Sequence, residues 1–514
     1  MHRRDFMAGL LCTAALPLGA VAFRASAQAA GEPVDVVEAF GFVPDGRTDN
    51  YDAFHRWATH VNRVRGGNYV FPPGTYFVRR YRTKIHETRD PREIINPIID
   101  GARGLTITGY GARIRVNGAF HRSARKGPDG RMVGLYTGTF VPFTIHRSSD
   151  VTIKGFDMDG GVGQMTRDPE LGEAYASLIA LHGCTGALLE DLDLHHSQTD
   201  GLYLFSSFEG TSLGGRPSIA CRDITIRNVK CHDNARGGLG IFQVHGLLVE
   251  DCAFNDNGRP GRYLPHAPQF GVDVEPDYVK PHVDILTGDI EFRRCEFHGN
   301  MSAFLGGWRD RIQGYLRLID CRSSNALGGE YHMSLGGGEE CLVQGGVHDA
   351  GRGLIATSWS EQVGANVVIR DCEIRTSGLY GISHYWDGNL TRMENVKVIG
   401  TQREPGSHGE MVLFRANPGG GRRNLIRNCE FFIPAARKSR ANPYDYEIAL
   451  YHTNSEGNLF RTDLPATGGQ HFAVGYEKGS ARGDRFRGTA PGPQDSIRPG
   501  HNSSHDTRQP FTSA

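Results

Sequence analysis

A phrase of about a dozen residues recurs along most of this chain and restricts what the chain can fold into. It reads "DITIRNVKCHDN" at 223–234, "GLLVEDCAFNDN" at 246–257, "DIEFRRCEFHGN" at 289–300, "NVVIRDCEIRTS" at 366–377 and "NLIRNCEFF" at 424–432. Each copy is a short strand of alternating apolar residues, a turn, and a second strand marked by Asp/Asn–Cys/Val–x–apolar. The copies recur at intervals of roughly 20 to 45 residues, the range of solenoid repeats. Period-2 alternation, turns rich in Gly, Asn and Asp, and no internal helical pattern predict a β-solenoid. Its coils stack at about 4.8 Å, so that inward Val, Ile, Leu and Cys form ladders no single coil could bury. The 68 glycines lack a collagen period and fit the many turns this requires. Longer intervals, Ser207 to Ile219 and Gly258 to Gln269, read as loops inserted at a corner, where binding-site walls are often built.

The cysteines follow the repeat. Cys252, Cys295, Cys321, Cys372 and Cys429 occupy one position of the phrase. Without Cys12 the count is nine, an odd number, and there is no CxxC or zinc spacing. A ladder of buried thiols is expected, in preference to disulfides.

Basic and acidic residues balance at 57 each, so charge does not point to a nucleic-acid partner or a membrane surface. The N-terminus pairs Arg3 with Arg4, runs through an apolar stretch and reaches Ala25-Ser26-Ala27. This resembles a twin-arginine export signal cut after Ala27, which makes the export machinery a partner and a bacterial periplasmic or secreted location the expectation. The apolar stretch is too short for a stable membrane span. Leu11 before Cys12 argues against a lipoprotein.

An open solenoid end is an exposed sheet edge and needs a cap. Residues 36–78 supply one: a strand, a DG turn, then a helix with Phe54, Trp57, Ala58, Val61 and Val64 on one face, stopped by Gly66-Gly67. The F-G-x-x-x-D-G-x-T-D segment, the helix and "FPPGTY" resemble the N-terminal cap of the pectate-lyase-like superfamily, which includes polygalacturonases, polysaccharide lyases and phage tailspike enzymes. The resemblance implies an all-β, right-handed parallel β-helix over nearly the whole mature chain, and it leaves the reaction open. The expected organisation is a signal at 1–27, cap and first strands at 28–100, the β-helix at 101–480 and a Gly/Pro/Ser/His-rich surface tail at 481–514.

Stacking equivalent strands places their outward residues on one surface. "GLYLFSS" (201–207) buries Leu202 and Leu204 and presents Tyr203 and Phe205. "GLGIFQ" (238–243) buries Leu239 and Ile241 and presents Gly240 and Phe242. "FGVDVEP" (270–276) buries Val272 and Val274 and presents Asp273 and Glu275. "AFLGGWRD" (303–310) ends in Trp308 and Arg309, "EYHMSL" (330–335) presents Glu330 and His332, and "GISHYWDG" (381–388) presents Tyr385. Aromatic rings, carboxylates and a histidine on adjacent rungs suit a shallow polysaccharide groove, since sugars have apolar ring faces and hydroxyl edges.

Residues i and i+2 of a strand put two carboxylates roughly 5 to 9 Å apart, a window covering retaining and inverting glycosidases. Asp273 and Glu275 are therefore candidates for base or nucleophile and for general acid, with His332 as a further acid–base group. The alternatives are a Ca²⁺ site at the same two carboxylates in a β-eliminating lyase, or a structural role. In a lyase, His332, Arg309 or Tyr385 would move protons. An arginine before the G-x-G-I strand and a G-[IV]-D-[IV]-E-P strand one coil later resemble a recurrent arrangement in uncharacterised pectate-lyase-like proteins, which makes Arg236 a candidate partner of Asp273 and Glu275, there to orient a carboxylate or bind a substrate acid group. Thr199-Asp200-Gly201 is similar to the N-T-D-G of polygalacturonases, but Gln198 replaces the Asn, G-H-G and R-I-K are missing, and Asp200 reads as a turn residue. His195 and His196 read as turn residues on another corner. Glycoside hydrolysis without a cofactor is the first expectation; a lyase and a non-catalytic polysaccharide-binding or envelope protein are the alternatives.

Overall fold

The computed structural model describes residues 31–505 apart from segments between strands, chiefly 84–95, 127–131, 168–176, 209–216, 260–268, 277–286, 307–311, 325–330, 358–365, 402–410, 435–445, 464–471 and 489–496, with 385–386. The proposed export signal therefore lies outside the described residues.

The coils carry strands on three faces. One complete turn runs Gly237–Ile241 on the first face, Val244–Glu250 on the second and Ala253–Asn255 on the third, before Phe270–Val274 opens the next coil. The first face is a 14-stranded parallel sheet from Ile98–Asp100 to Ile497–Pro499. The other two faces merge into one sheet, because long strands such as Cys221–His232 run through the corner between them. Inside the tube a single apolar core extends from Val36 to Ala481. The architecture is a parallel β-helix.

The recurring Asp/Asn–Cys step is the corner between the second and third faces. Asp251, Arg294, Asp320, Asp371 and Asn428 all have left-handed backbone, with φ from 51° to 56°. Asp and Asn tolerate that conformation better than other residues with a Cβ, and so the phrase repeats them. The next residue then points inward: Cys252, Cys295, Cys321, Cys372 and Cys429 are buried and unbridged. Several of these thiols donate back two residues, as Cys252 Sγ does to the Glu250 carbonyl at 3.2 Å. The thiol ladder is as expected.

The "DN" and "GN" ends of the phrase build the corner before the first face. Asn234, Asn257 and Asn300 form a buried ladder: Asn234 Nδ2 donates to Asn257 Oδ1 at 2.9 Å, and Asn257 Nδ2 donates to Asn300 Oδ1 at 3.2 Å. Each amide also serves backbone groups that the corner would otherwise leave unpaired, as Asn300 Nδ2 does at the Phe254 carbonyl.

The cap helix is Tyr51–Val64, and its Phe54 and Trp57 meet Phe71 and Phe143 edge-on or stacked over the open end of the tube. Two details differ from expectation. Val64 is 49% exposed, while Ala53 joins the buried face. The helix ends at Arg65, itself left-handed, one residue ahead of the expected glycines. Val36–Phe40, expected as strand, is a one-turn helix because Asp35 caps it, accepting from the Val37 amide at 2.8 Å. The expected tail also contributes coil: Arg485–Gly488 pairs with Leu459–Thr462, and Ile497–Pro499 and Ser504–His505 extend both sheets. Glycines and prolines there hid a pairing whose hydrogen bonds come from the backbone.

Candidate active site

The register of the first face sets the candidate residues in rows. The inward row is Phe143, Ile179, Leu202, Leu239, Val272, Phe304 and Met333. One residue on, the outward row is Thr144, Ala180, Tyr203, Gly240, Asp273, Leu305 and Ser334. The assignments made for Tyr203, Gly240, Phe242, Asp273 and Glu275 hold in register. Strand spacing thus puts Tyr203, the side-chain-free Gly240 and Asp273 on three successive rungs about 4.8 Å apart.

Asp200 was misread. It is the first residue of its strand, paired with Gly237, and fully buried. Both its oxygens are held by Arg236, which is 3% exposed: Nε donates to Oδ1 at 2.9 Å and Nη2 to Oδ2. Arg236 comes from the next coil, where its backbone amide bonds Thr199 at 3.0 Å and its guanidinium lies over the Phe270 ring. Burial alone would lower the Arg236 pKa, but the Asp200 carboxylate outweighs it, with smaller contributions from Tyr203 and Asp273, so the guanidinium is locked as a cation. Arg236 was expected to orient a carboxylate or bind a substrate acid group; its bidentate bond goes to Asp200, and Asp273 feels its charge from the neighbouring rung. Asp200, Tyr203 and Phe242 close on Gly240, where a Cβ would stand 3.1 Å from the Phe242 ring, 3.3 Å from Asp200 Oδ2 and 3.4 Å from the Tyr203 ring. Asp273 is only 2% exposed, so this centre is enclosed and is not the shallow groove expected there.

Access comes two residues on, at the outward row His146, His182, Phe205, Phe242 and Glu275. Of these Phe242 is buried and the other four are partly exposed. The rings form a continuous strip: His146 to His182 is 4.4 Å between centroids, His182 to Phe205 6.0 Å and Phe205 to Phe242 5.4 Å, with Tyr203 against Phe242 at 4.8 Å. Tyr203, Phe205 and Phe242, with Val141 and Ala180, form an apolar cluster outside the main core. Burial pushes the His146 pKa down to about 4, helped by Arg147, and that of His182 to about 3, helped by His146. Both are neutral rings at ordinary pH. The strip runs along the helix axis for about 19 Å, four strand spacings, and ends on Glu275. His146 and His182 were missed; their signal was the equivalent place they hold in "FTIH" and "IALH".

His332 does not reach this surface. It is fully buried, shares Ser323 Oγ with His348 (2.8 and 3.0 Å), and burial pushes its pKa down to about 3. Strict alternation fails at the entry to first-face strands, where two consecutive residues face inward. In earlier coils the first of the two is Gly201, Gly238 or Gly271, whose Cβ would collide with Asn234, Asn257 or Asn300. His332 fills that slot ahead of the inward Met333. His384 likewise points inward, 2.9 Å from Thr391 Oγ1. Trp308, Arg309, Glu330 and Tyr385 lie outside the described residues.

A cavity of about 540 Å³ lies on the third face, among Arg113, Asp157, Asp193 and Lys230, away from these rungs. Next to it, Asp159, His195 and His196 converge as potential metal ligands. No helix among the described residues is long and apolar enough to cross a membrane.

The family described as "Right handed beta helix region" matches residues 145–307, the segment carrying Asp200, Arg236, Asp273 and the aromatic strip. No curated protein matches the sequence. Among solved structures, a double mutant of the tailspike protein of E. coli bacteriophage HK620 in complex with a pentasaccharide aligns over 92% of this chain and 78% of its own, with 10% identity and a TM-score of 0.53. The A-module of Azotobacter vinelandii mannuronan C-5 epimerase AlgE4 aligns over 93% of this chain and 99% of its own, with 11% identity and a TM-score of 0.41. Stacked parallel coils, an N-terminal helical cap, the family match over residues 145–307 and the tailspike alignment agree on the fold: the chain is a right-handed parallel β-helix.

Proposed function

We propose that this protein is a carbohydrate-active enzyme that hydrolyses glycosidic bonds of a polysaccharide at the Asp273/Glu275 rung. The observation that carries the reading is the aromatic strip ending on a carboxylate. Sugar rings stack on His146, His182, Phe205 and Phe242, and the chain they belong to is led to Glu275, with Asp273 two residues behind. Glu275, at the partly exposed end, is assigned as general acid: it protonates the departing glycosidic oxygen as the bond to the anomeric carbon breaks. Asp273 is assigned as the carboxylate that draws a proton from the attacking water or bonds the anomeric carbon first. Arg236, held by Asp200, stands as a fixed cation on the rung next to Asp273. The tailspike match adds that a β-helix of this outline holds a pentasaccharide in another protein.

The lyase alternative loses one of its proton carriers with the burial of His332. Product masses from a screen of acidic and neutral polysaccharides test the proposal. Each cleavage should add one water across the broken bond; fragments whose masses sum to the parent without added water would identify elimination, and binding without fragments a non-catalytic protein.

A further inference from the structure

We infer that the third face carries a transition-metal site formed by Asp159, His195 and His196, separate from the proposed glycan site and taking a divalent ion of the zinc type. Asp159 and His195 are direct neighbours on adjacent coils, and His196 follows at the corner with φ of 56°, a left-handed conformation that brings its ring back beside them. One ligand atom from each of the three lies within 4.8 Å of the other two. Ligand atoms around a tetrahedral zinc ion are about 3.3 Å apart, given metal–ligand bonds of about 2.0–2.1 Å, so small side-chain adjustments suffice.

The surroundings are those of a built metal site. His195 Nε2 is 3.0 Å from Asp157 Oδ1, which makes Nε2 the protonated nitrogen and turns the Nδ1 lone pair inward. That Nδ1 accepts a hydrogen bond from His196 Nδ1 at 2.5 Å, the contact that a metal ion held by both nitrogens would replace. A carboxylate behind a ligating histidine is the usual outer support of such sites. Asp157 is itself held by Arg113 Nε at 2.9 Å, and Asp159 Oδ1 is fixed by the Gly161 amide at 2.9 Å. His232 stacks on His195 with ring planes 14° apart, and both its nitrogens are bonded to carboxylates, Asp193 at 2.8 Å and Asp233 at 2.9 Å. It therefore orients His195 and is not a ligand. Asp159 and His196 also line a cavity of about 170 Å³, which leaves room for water or a substrate oxygen at the remaining positions. Two imidazoles and one carboxylate favour Zn²⁺, Co²⁺, Ni²⁺ or Cu²⁺ over Ca²⁺ and Mg²⁺.

The test is calorimetric titration of chelator-treated full-length protein with ZnCl₂, with CoCl₂ loading followed by visible absorption. The expected result is one saturable Zn²⁺ per chain, not displaced by millimolar Ca²⁺, with Co²⁺ ligand-field bands. Asp159→Asn, which keeps the side chain's shape, and His196→Ala should each weaken Zn²⁺ binding at least tenfold, and Asp157→Asn about 10- to 100-fold. Absence of a saturable site overturns the inference, and so does Zn²⁺ affinity unchanged in Asp159→Asn. Far-UV circular dichroism identifies any histidine variant that fails to fold, and Asp159→Asn then decides. Glycan cleavage is not among the readouts, so this result stands apart from the proposed function.

Discussion

Removing Arg236 should be among the most destabilising single substitutions in the chain. Asp200 is fully buried and both its oxygens are held by that one guanidinium. Unit charges about 4 Å apart at an effective dielectric near 20 attract by about 4 kcal/mol. Deleting one partner of a buried pair costs about 3–5 kcal/mol, because the other charge stays buried without compensation. Arg236→Met should cost that much, the more so because Asp273 adds a second carboxylate to the same enclosure. Asp200→Asn should cost less, about 1–3 kcal/mol, since the amide oxygen still accepts one bond and the Asp273 carboxylate still offsets the buried Arg236 charge. The double variant should be more stable than the sum of the single losses predicts, by about 2 kcal/mol. Urea unfolding followed by circular dichroism, with m-values compared among the four proteins, measures these differences. A cost for Arg236→Met below about 1 kcal/mol, or a double variant additive within about 0.5 kcal/mol, would refute the pairing.

Three further outcomes follow from the packing. His332, His348 and His384 are buried, with pKa values pushed down to about 3, 4 and 4 from an unfolded value near 6.5. The native state keeps them neutral while the unfolded chain takes up protons, so stability is complete above about pH 6.5 and falls as pH drops toward 4. Each contributes a loss of about 2 kcal/mol at pH 5, visible as a lower urea midpoint than at pH 7.5; an unchanged midpoint would contradict their burial. Asn257→Ala should cost about 2–4 kcal/mol in the same assay by breaking the asparagine ladder on both sides, and a loss within 0.5 kcal/mol would show that the ladder is not needed. The nine described thiols should resist a thiol-specific reagent in the native protein and all react in denaturant; rapid labelling of any would contradict the closed cysteine ladder.

How much could be read in advance depended on the range of the signal. Period-2 alternation is local, so Leu202, Leu204, Leu239, Ile241, Val272 and Val274 were assigned inward correctly and Asp273 and Glu275 outward. The Asp/Asn–Cys step was recognised as a repeat, while its cause, a left-handed corner, needed backbone angles. Features that depend on register between coils were not legible. Asp200 and Arg236 are 36 residues apart and meet only because one coil separates them. The D-G step that looked like a turn begins a strand instead. His332 was misassigned because strand entries turn two successive residues inward, a rule visible only once the glycines of the earlier coils are seen against the asparagine ladder. His196 does lie at another corner, as expected, whereas His195 is the last residue of the strand Leu188–His195, and the neighbouring coils that bring Asp157 and Asp159 to them could not be placed from spacing alone.

The central claim is that Glu275 and Asp273 cut a glycan led to them along the aromatic strip. Its most direct test is to take a polysaccharide the protein cleaves and follow reducing ends and ultraviolet absorbance together for the wild type, Glu275→Gln and Asp273→Asn. Hydrolysis by this pair predicts new reducing ends with no unsaturated chromophore, and rates about 10²- to 10⁴-fold lower in either variant. Cleavage at the wild-type rate in both variants, or product that absorbs as an unsaturated sugar, would contradict it.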